Sequence, residues 1–240
     1  MARNSSFQFK QFTIWQDQCA MKVCTDACVL GAWADLENAG RILDIGAGTG
    51  LLSLMSAQRN AGALIDAVEI DPDAFTQAGG NVSKSPFHHR IKLHHADIKH
   101  FDPGLKYDVI ISNPPFFQDD LKSPDRKKNL AHHARSLDFG ALISVVDRLI
   151  APKGTFQVLF PVEEGKKFQQ QAENAGWVLS RKLTLVHHAG KNPFRLLMAF
   201  QKAEINLDPV IENVLYIYEN EGVTYHSAFR DLMKDFYLIF

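Results

Sequence analysis

Apolar residues along this chain switch repeatedly between short continuous runs and helical spacing. RILDIG (41–46) is a run of the kind that forms a buried strand, and LLSLMSAQRN (51–60) follows it with helical period. The alternation continues through ALIDAVEI (63–70) as strand and a helix from Pro72 to about Val82, with proline well placed in its first turn. IKLHHAD (91–97) and YDVIISN (107–113) read as strands, SLDFGALISVVDRLI (136–150) as helix and GTFQVLFP (154–161) as strand. EEGKKFQQQAENAG (163–176) is a helix capped by Gly176. WVLSRKLTLVHH (177–188) and FRLLMAFQ (194–201) are strands joined by a short polar loop, hence antiparallel neighbours at the edge. Ahead of all these, DACVLGAWADLEN (26–38) has helical spacing, with Val29, Leu30, Trp33 and Leu36 on one face and Gly40 ending the helix.

Strands separated by helical periods predict βαβ units. The expected fold is α/β: a seven-stranded, mostly parallel sheet with helices on both faces and an antiparallel last strand. The 240 residues fit a single domain. Within it, residues 39–203 form the core, 1–38 an N-terminal segment capping the site, and 204–240 a C-terminal appendage. Ligands of such sheets bind beyond the carboxyl ends of the strands, so strand-end residues are the ones to inspect.

The first strand runs into Asp44, Ile45, Gly46, Ala47, Gly48, Thr49 and Gly50. Glycine allows close backbone approach to a ligand, and the following helix start offers N–H donors. The spacing is G-x-G-x-G. A dinucleotide fingerprint needs a third glycine where Leu51 stands, which disfavours a nicotinamide oxidoreductase. Glu69 ends the second strand, where a carboxylate can accept both hydroxyls of a ribose. Asp97 ends the third; it can accept from an adenine amine while Ile98 packs on the ring.

The fourth strand stops at Asn113-Pro114-Pro115-Phe116. Two prolines fix φ and force the asparagine to be extended at the strand end. Its amide oxygen and the Pro114 carbonyl can accept both hydrogens of a planar NH₂ group. That grip draws the nitrogen lone pair out of conjugation and aims it at an electrophilic methyl, while Phe116 offers a face for stacking.

Charge adds local detail only. The formal net charge is -1, so no global basic field marks a nucleic-acid partner. Lys122, Arg126, Lys127, Lys128 and Arg135 stand against Asp125 alone within 121–135, whereas 204–240 is acidic. Cys19, Cys24 and Cys28 lack the paired spacing of a zinc site and are expected to be inert and apolar. The four His-His pairs (88–89, 94–95, 132–133, 187–188) complete no metal-ligand spacing, so no metal is expected. The aromatic tail (Tyr216, Tyr218, Tyr225, Phe236, Tyr237) is expected to pack rather than to stack bases. With no apolar run of membrane length and no signal-peptide core, the expectation is a cytoplasmic monomer with no membrane contact.

The glycine loop, Glu69 and NPPF together resemble the class I S-adenosylmethionine-dependent methyltransferases with an N-P-P-[FY] motif, over roughly 22–200. The resemblance implies their Rossmann-like sheet. It also implies S-adenosylmethionine held by Asp44, Gly46, Gly48, Gly50, Glu69, Asp97, Ile98 and Asn113, and the acceptor amine held by Asn113 through Phe116. FQFKQFTIWQDQCAMKVCTDACVLGAWA, ILDIGAGTGLLSLMSAQR and the ending DLMKDFYLIF resemble, more specifically, the bacterial tRNA1(Val) adenine-37 N6-methyltransferase family. This implies a tRNA substrate and places Lys22, Thr25 and Asp26 near the methionine end of the cofactor. That family more often has glycine where this chain has Cys24. Arg126, Lys127, Lys128 and Arg135 become expected phosphate contacts, and His132 and His133 offer rings for stacking on RNA. From the NPPF chemistry alone, guanine N2 of ribosomal RNA and a protein glutamine amide remain alternatives. So does a module that binds cofactor or nucleotide without catalysis.

Overall fold

In the computed structural model, residues 5–19, 22–115, 137–203 and 209–240 are described. The chain opens with a hairpin, β1 (Ser6–Gln8) and β2 (Thr13–Trp15), and helix α1 (Thr25–Trp33). The central sheet then grows from β3 (Arg41–Ile45), β4 (Leu64–Glu69), β5 (Ile91–His95), β6 (Tyr107–Ser112), β7 (Ile150–Pro161), β8 (Trp177–Val186), β9 (Arg195–Lys202) and β10 (Ile211–Tyr216). Its order is β10-β8-β9-β7-β6-β3-β4-β5. The helices between are α2 (Leu51–Arg59), α3 (Pro72–Ser83), α4 (Phe139–Leu149) and α5 (Val162–Asn174), and α6 (Ser227–Met233) follows the sheet.

The strand alternation splits the core between two faces. Ile42, Val109 and Ile111 point into one apolar cluster with α1, α2, the N-terminal hairpin and the C-terminal tail. Leu43, Ile45 and Ile110 point into the other, under α4 and α5. This is the two-sided sheet the run pattern predicts.

The strand count differs from the seven expected. An eighth strand, β10, comes from the acidic C-terminal stretch and pairs parallel with β8, from Ile211 with Arg181 to Tyr216 with Val186. Its exposed pattern hid it: as an edge strand it buries only Leu215 fully, so no apolar run marks it. The antiparallel strand is β9, and it lies inside the sheet, between β7 and β8, rather than at an edge.

Helix α1 is also shorter than the pattern over 26–38 suggests, and Gly40 does not end it. Ala34 already leaves helical geometry (φ -51, ψ 138). The cause is tertiary. Arg59 donates to the carbonyls of Gly31 and Ala34, and buried Gln157 clamps Asp35 by accepting from its N–H and donating to its carbonyl, both at 2.9 Å. Asp26 through Ala32 are all buried, so the helix is covered all round instead of on one face.

Where α1 crosses α2, a Cβ on Gly31 would lie 2.6 Å from the sulfur and 3.0 Å from the Cβ of Met55. Gly31→Val should therefore overpack this crossing at a cost of about 2 kcal/mol. The expected result is a fall in melting temperature of about 4–8 °C by calorimetry; an unchanged Tm would show that the crossing has slack.

The tail seals the first face. Phe9 bridges Tyr237, Lys10 N–H donates to the Phe236 carbonyl at 2.9 Å, and Phe229, Met233, Phe236 and Tyr237 are buried. Phe236 and Tyr237 thus pack, as expected for the aromatic tail, and Tyr218 stacks on Tyr225 at 5.0 Å.

Candidate active site

The site lies at the carboxyl ends of β3, β4 and β6. After β3 the chain turns through Gly46, Gly48 and Gly50 at φ +74, +56 and +80. A side chain is strained at each of these angles. A Cβ on Gly46 would meet nothing within 4 Å, so the loop leaves open space above it. Gly50 faces the other way, with its hydrogen side 3.6–3.8 Å from Ala78 and Val82 of α3.

Two carboxylates brace this loop from below. Glu69 accepts from the Gly48 N–H through Oε2 and from the Asp71 N–H through Oε1, both at 2.8 Å. Each oxygen keeps a further lone pair for a ligand hydroxyl. Asp44 is fully buried; its Oδ2 accepts from the Ser53 hydroxyl at 2.6 Å, while its Oδ1 is shielded and accepts no hydrogen bond.

Burial pushes the Asp44 carboxyl up to about 7; Ser53 pulls it down and Glu69 adds to the rise. Between about pH 4 and the folded value the unfolded chain has lost a proton that the folded chain retains. Stability is therefore lost as pH rises through that window and levels off above it. In melts from about pH 5 to 8, wild type should lose stability relative to Asp44→Asn, whose amide does not titrate. Parallel curves would show that Asp44 is ionised throughout.

The opposite wall comes from the segment before α1. Lys22, Val23, Cys24 and Ala27 face Gly46 through Thr49, Leu51, Leu52 and Asn113 across a solvent-open cleft. Polar side chains hold that segment in place. Gln16 accepts from the Val23 N–H at 2.8 Å. Asn81, buried on α3, accepts from the Trp15 N–H and donates to the carbonyls of Trp15 and Thr49 at 2.8–2.9 Å, tying the hairpin to the glycine loop.

Asn113 reaches the cleft because β6 is locked to β3 at its last residue: the Ser112 hydroxyl donates to the Ile45 carbonyl at 2.9 Å. The Asn113 Oδ1 is shielded from solvent, and Pro114 is buried behind it.

The structure thus gathers Lys22, Gly46, Gly48 and Asn113 around one cleft, with Asp44 and Glu69 beneath the loop. Other expected residues have protein partners in the fold. The Thr25 hydroxyl lies against the Tyr237 phenol. Asp26 accepts from Arg195 Nε at 2.6 Å. Asp97 accepts from the Lys99 N–H at 2.9 Å in a tight turn, and Ile98 is buried in the second core cluster. Ile70, directly after Glu69, is 44% exposed. Phe116, Arg126, Lys127, Lys128, Arg135, His132 and His133 lie outside the described residues.

Cys24 lines the cleft, a position spacing alone did not reveal. Burial, helped by Asp26, pushes its thiol up to about 12, so it is a neutral, apolar part of the wall. Among the described residues, no three His, Cys, Asp or Glu side chains come together to hold a metal ion.

A doubly wound sheet with a glycine cradle over a buried acid, and an Asn-Pro-Pro turn opening into the same cleft, defines the class of S-adenosylmethionine-dependent methyltransferases. The methyltransferase small domain family matches residues 28–172. A predicted O-methyltransferase from Agrobacterium tumefaciens shares the fold, with a TM-score of 0.65 at 18% identity over 88% of this chain and 96% of that one. The tRNA1(Val) (adenine(37)-N6)-methyltransferase of Dyadobacter fermentans is 62% identical over 240 residues, all of both chains. The protein of the same name from Phocaeicola vulgatus is 45% identical over 235 residues, 98% of each. The chain belongs to the tRNA1(Val) (adenine(37)-N6)-methyltransferase family.

Proposed function

We propose that this enzyme transfers a methyl group from S-adenosylmethionine to N6 of adenine 37 in the anticodon loop of tRNA1(Val). The observation that carries the reading is Asn113: the strand-end amide opens into the cleft that the glycine loop floors. The residues fit the cofactor, since the loop is open where a Cβ would intrude and Asp44 Oδ1 waits buried without a donor.

Bound S-adenosylmethionine supplies an electrophilic methyl on a sulfonium centre. Gly46, Gly48 and Gly50 let the backbone approach it, Glu69 takes its ribose hydroxyls and Asp97 its adenine amine, with Ile98 beside the ring. Lys22, Thr25, Asp26 and Asp44 serve the methionine end. Asn113 Oδ1 and the Pro114 carbonyl accept the two N6 hydrogens of the target base, Pro115 stiffens the turn and Phe116 stacks on the ring. A strong base is unnecessary, because the nitrogen becomes acidic only as it gains the methyl; orientation and local dipoles carry the rate. A base inside a loop must be held unstacked for this, the usual condition for enzymes acting on bases.

Arg126, Lys127, Lys128 and Arg135 follow the motif directly and serve as phosphate contacts in this reading. Residues 1–38 cap the cofactor, 39–203 carry the chemistry, and 204–240 complete the same single domain. The enzyme acts on tRNA as a monomer, in the cytoplasm and without a metal. No helix among the described residues is long and apolar enough to cross a membrane.

The test is transfer of labelled methyl to total tRNA from a strain lacking the activity, with the labelled nucleotide mapped by mass spectrometry. Label at adenine 37 is expected. Label in ribosomal RNA guanine or in protein glutamine, with none in tRNA, would overturn the substrate assignment.

A further inference from the structure

The half of the sheet that does not floor the cofactor cleft presents its own strand ends on the same side. From β6 the order runs β7, β9, β8, β10. Because β9 is reversed, its first residue, Arg195, pairs with the last of β7, Pro161. The β8–β9 connection, His187-His188-Ala189-Gly190-Lys191-Asn192-Pro193-Phe194, therefore sits on the carboxyl edge; by the register of Ser112 with Val158, Pro161 with Arg195 and Arg195 with Leu185, His187 lies four residues beyond the level of Asn113. Strands lie about 4.8 Å apart, so β9 and β8 stand about 10 and about 14 Å from β6. With about 13 Å along the strands added, His187 stands about 20 Å from Asn113, within reach of a nucleotide a few positions from a base held there.

This connection is built rather than loose. Phe194 N–H donates to the Leu185 carbonyl at 3.0 Å and Lys191 N–H to the His188 carbonyl at 3.1 Å, and the tail grips it through Tyr218 N–H to the His187 carbonyl at 2.8 Å. The Asp26–Arg195 ion pair ties its base to the first turn of α1, beside the cofactor cleft.

On that frame the His187 ring lies flat on the Phe194 ring, with centroids 4.1 Å apart and planes 5° from parallel. Phe194 is half-buried and His187 exposed, so the outer face of the imidazole continues the stack toward solvent. Exposed Lys191 stands three residues from Phe194, and residues 187–195 contain no acid. Asp26 is paired with Arg195, and Glu221, which lies near His188, accepts from the Thr224 N–H.

An exposed stacked ring beside a cation, on a rigid edge, is the chemistry that holds unpaired nucleotides. We propose that the β8–β9 connection is a second RNA-binding element, in which His187 stacks on an unpaired base a few nucleotides from the target and Lys191 meets a backbone phosphate. The inference rests on the RNA-methyltransferase reading above.

The test uses full-length wild type, His187→Ala, His187→Tyr and Lys191→Gln, with Lys153→Gln at the opposite end of the sheet as control. Loss of one stacking face is worth about tenfold in binding. His187→Ala should raise the KM for tRNA by about that factor. Its kcat, and its thermal stabilisation by S-adenosylhomocysteine, should match wild type. His187→Tyr, which keeps a ring, should restore most of the affinity. Lys191→Gln should lower the slope of log affinity against log salt by about 0.7–1, and Lys153→Gln should leave it unchanged. If wild type methylates tRNA while His187→Ala and Lys191→Gln both keep its KM and salt slope, this inference falls and the function stands. If wild type transfers no methyl to tRNA, the function itself falls and takes the inference with it.

Discussion

Asn113→Ala should reduce methyl transfer to tRNA by about 100–1000-fold while leaving cofactor binding nearly intact. The magnitude follows from what the side chain is asked to do. Removing one preorganised polar group aimed at developing charge costs about that factor in other enzymes. The alanine lacks the amide oxygen that accepts an amine hydrogen, so the nitrogen lone pair is no longer turned toward the methyl. The fold should survive, because the Ser112 hydroxyl anchors the end of β6 to the Ile45 carbonyl. Single-turnover transfer reads the chemistry, and calorimetric titration with S-adenosylhomocysteine reads the cofactor. Loss of both together would mean that Asn113 builds the cofactor site, and the acceptor assignment would fail.

Glu69→Ala should act on the other half of the site. Its two oxygens hold the Gly48 and Asp71 N–H groups, one in the cofactor loop and one at the start of α3. Deleting the carboxylate strands two donors, each costing about 1–3 kcal/mol where solvent cannot replace the acceptor. A drop in apo stability of about 2–4 kcal/mol is expected. The same change removes the acceptor for a ribose diol, so affinity for S-adenosylhomocysteine should fall by about 100-fold or more. Stabilisation by a bound ligand follows mass action, so the thermal shift should vanish at ligand concentrations that saturate wild type. A destabilised variant with wild-type affinity would leave Glu69 a brace for the loop and nothing more.

These two residues also show what could be read in advance. Glu69 and Asn113 were identifiable because strand-end position is encoded by an apolar run and the residue that stops it. The glycine positions were identifiable because a side chain is strained at their backbone angles. Lys22 was reached by resemblance, and the cleft contains it; Val23 and Ala27 beside it were not singled out, and Cys24 was expected only to be inert and apolar. They meet the glycine loop only through contacts between distant parts of the chain, made by Gln16 and Asn81. Asp26 carries the same lesson. The resemblance placed it near the methionine end of the cofactor; its ion-pair partner, Arg195, is 169 residues away and not readable from local sequence.

By itself, the sequence determined the alternation of strands and helices, the two-sided core, the glycine turn after β3 and the asparagine at the end of β6. Each depends on local period or on residues adjacent in the chain. The tertiary structure decided the end of α1, the inner position of the reversed strand β9, the membership of β10, and the wall opposite the glycine loop. Those features depend on which distant carbonyls Arg59 and Gln157 reach, which edge is left for a weakly apolar strand to pair with, and where reversing one strand brings its loop. The same reversal carries the β8–β9 connection to the edge where Asn113 ends its own strand, which residues 187–195 do not encode locally.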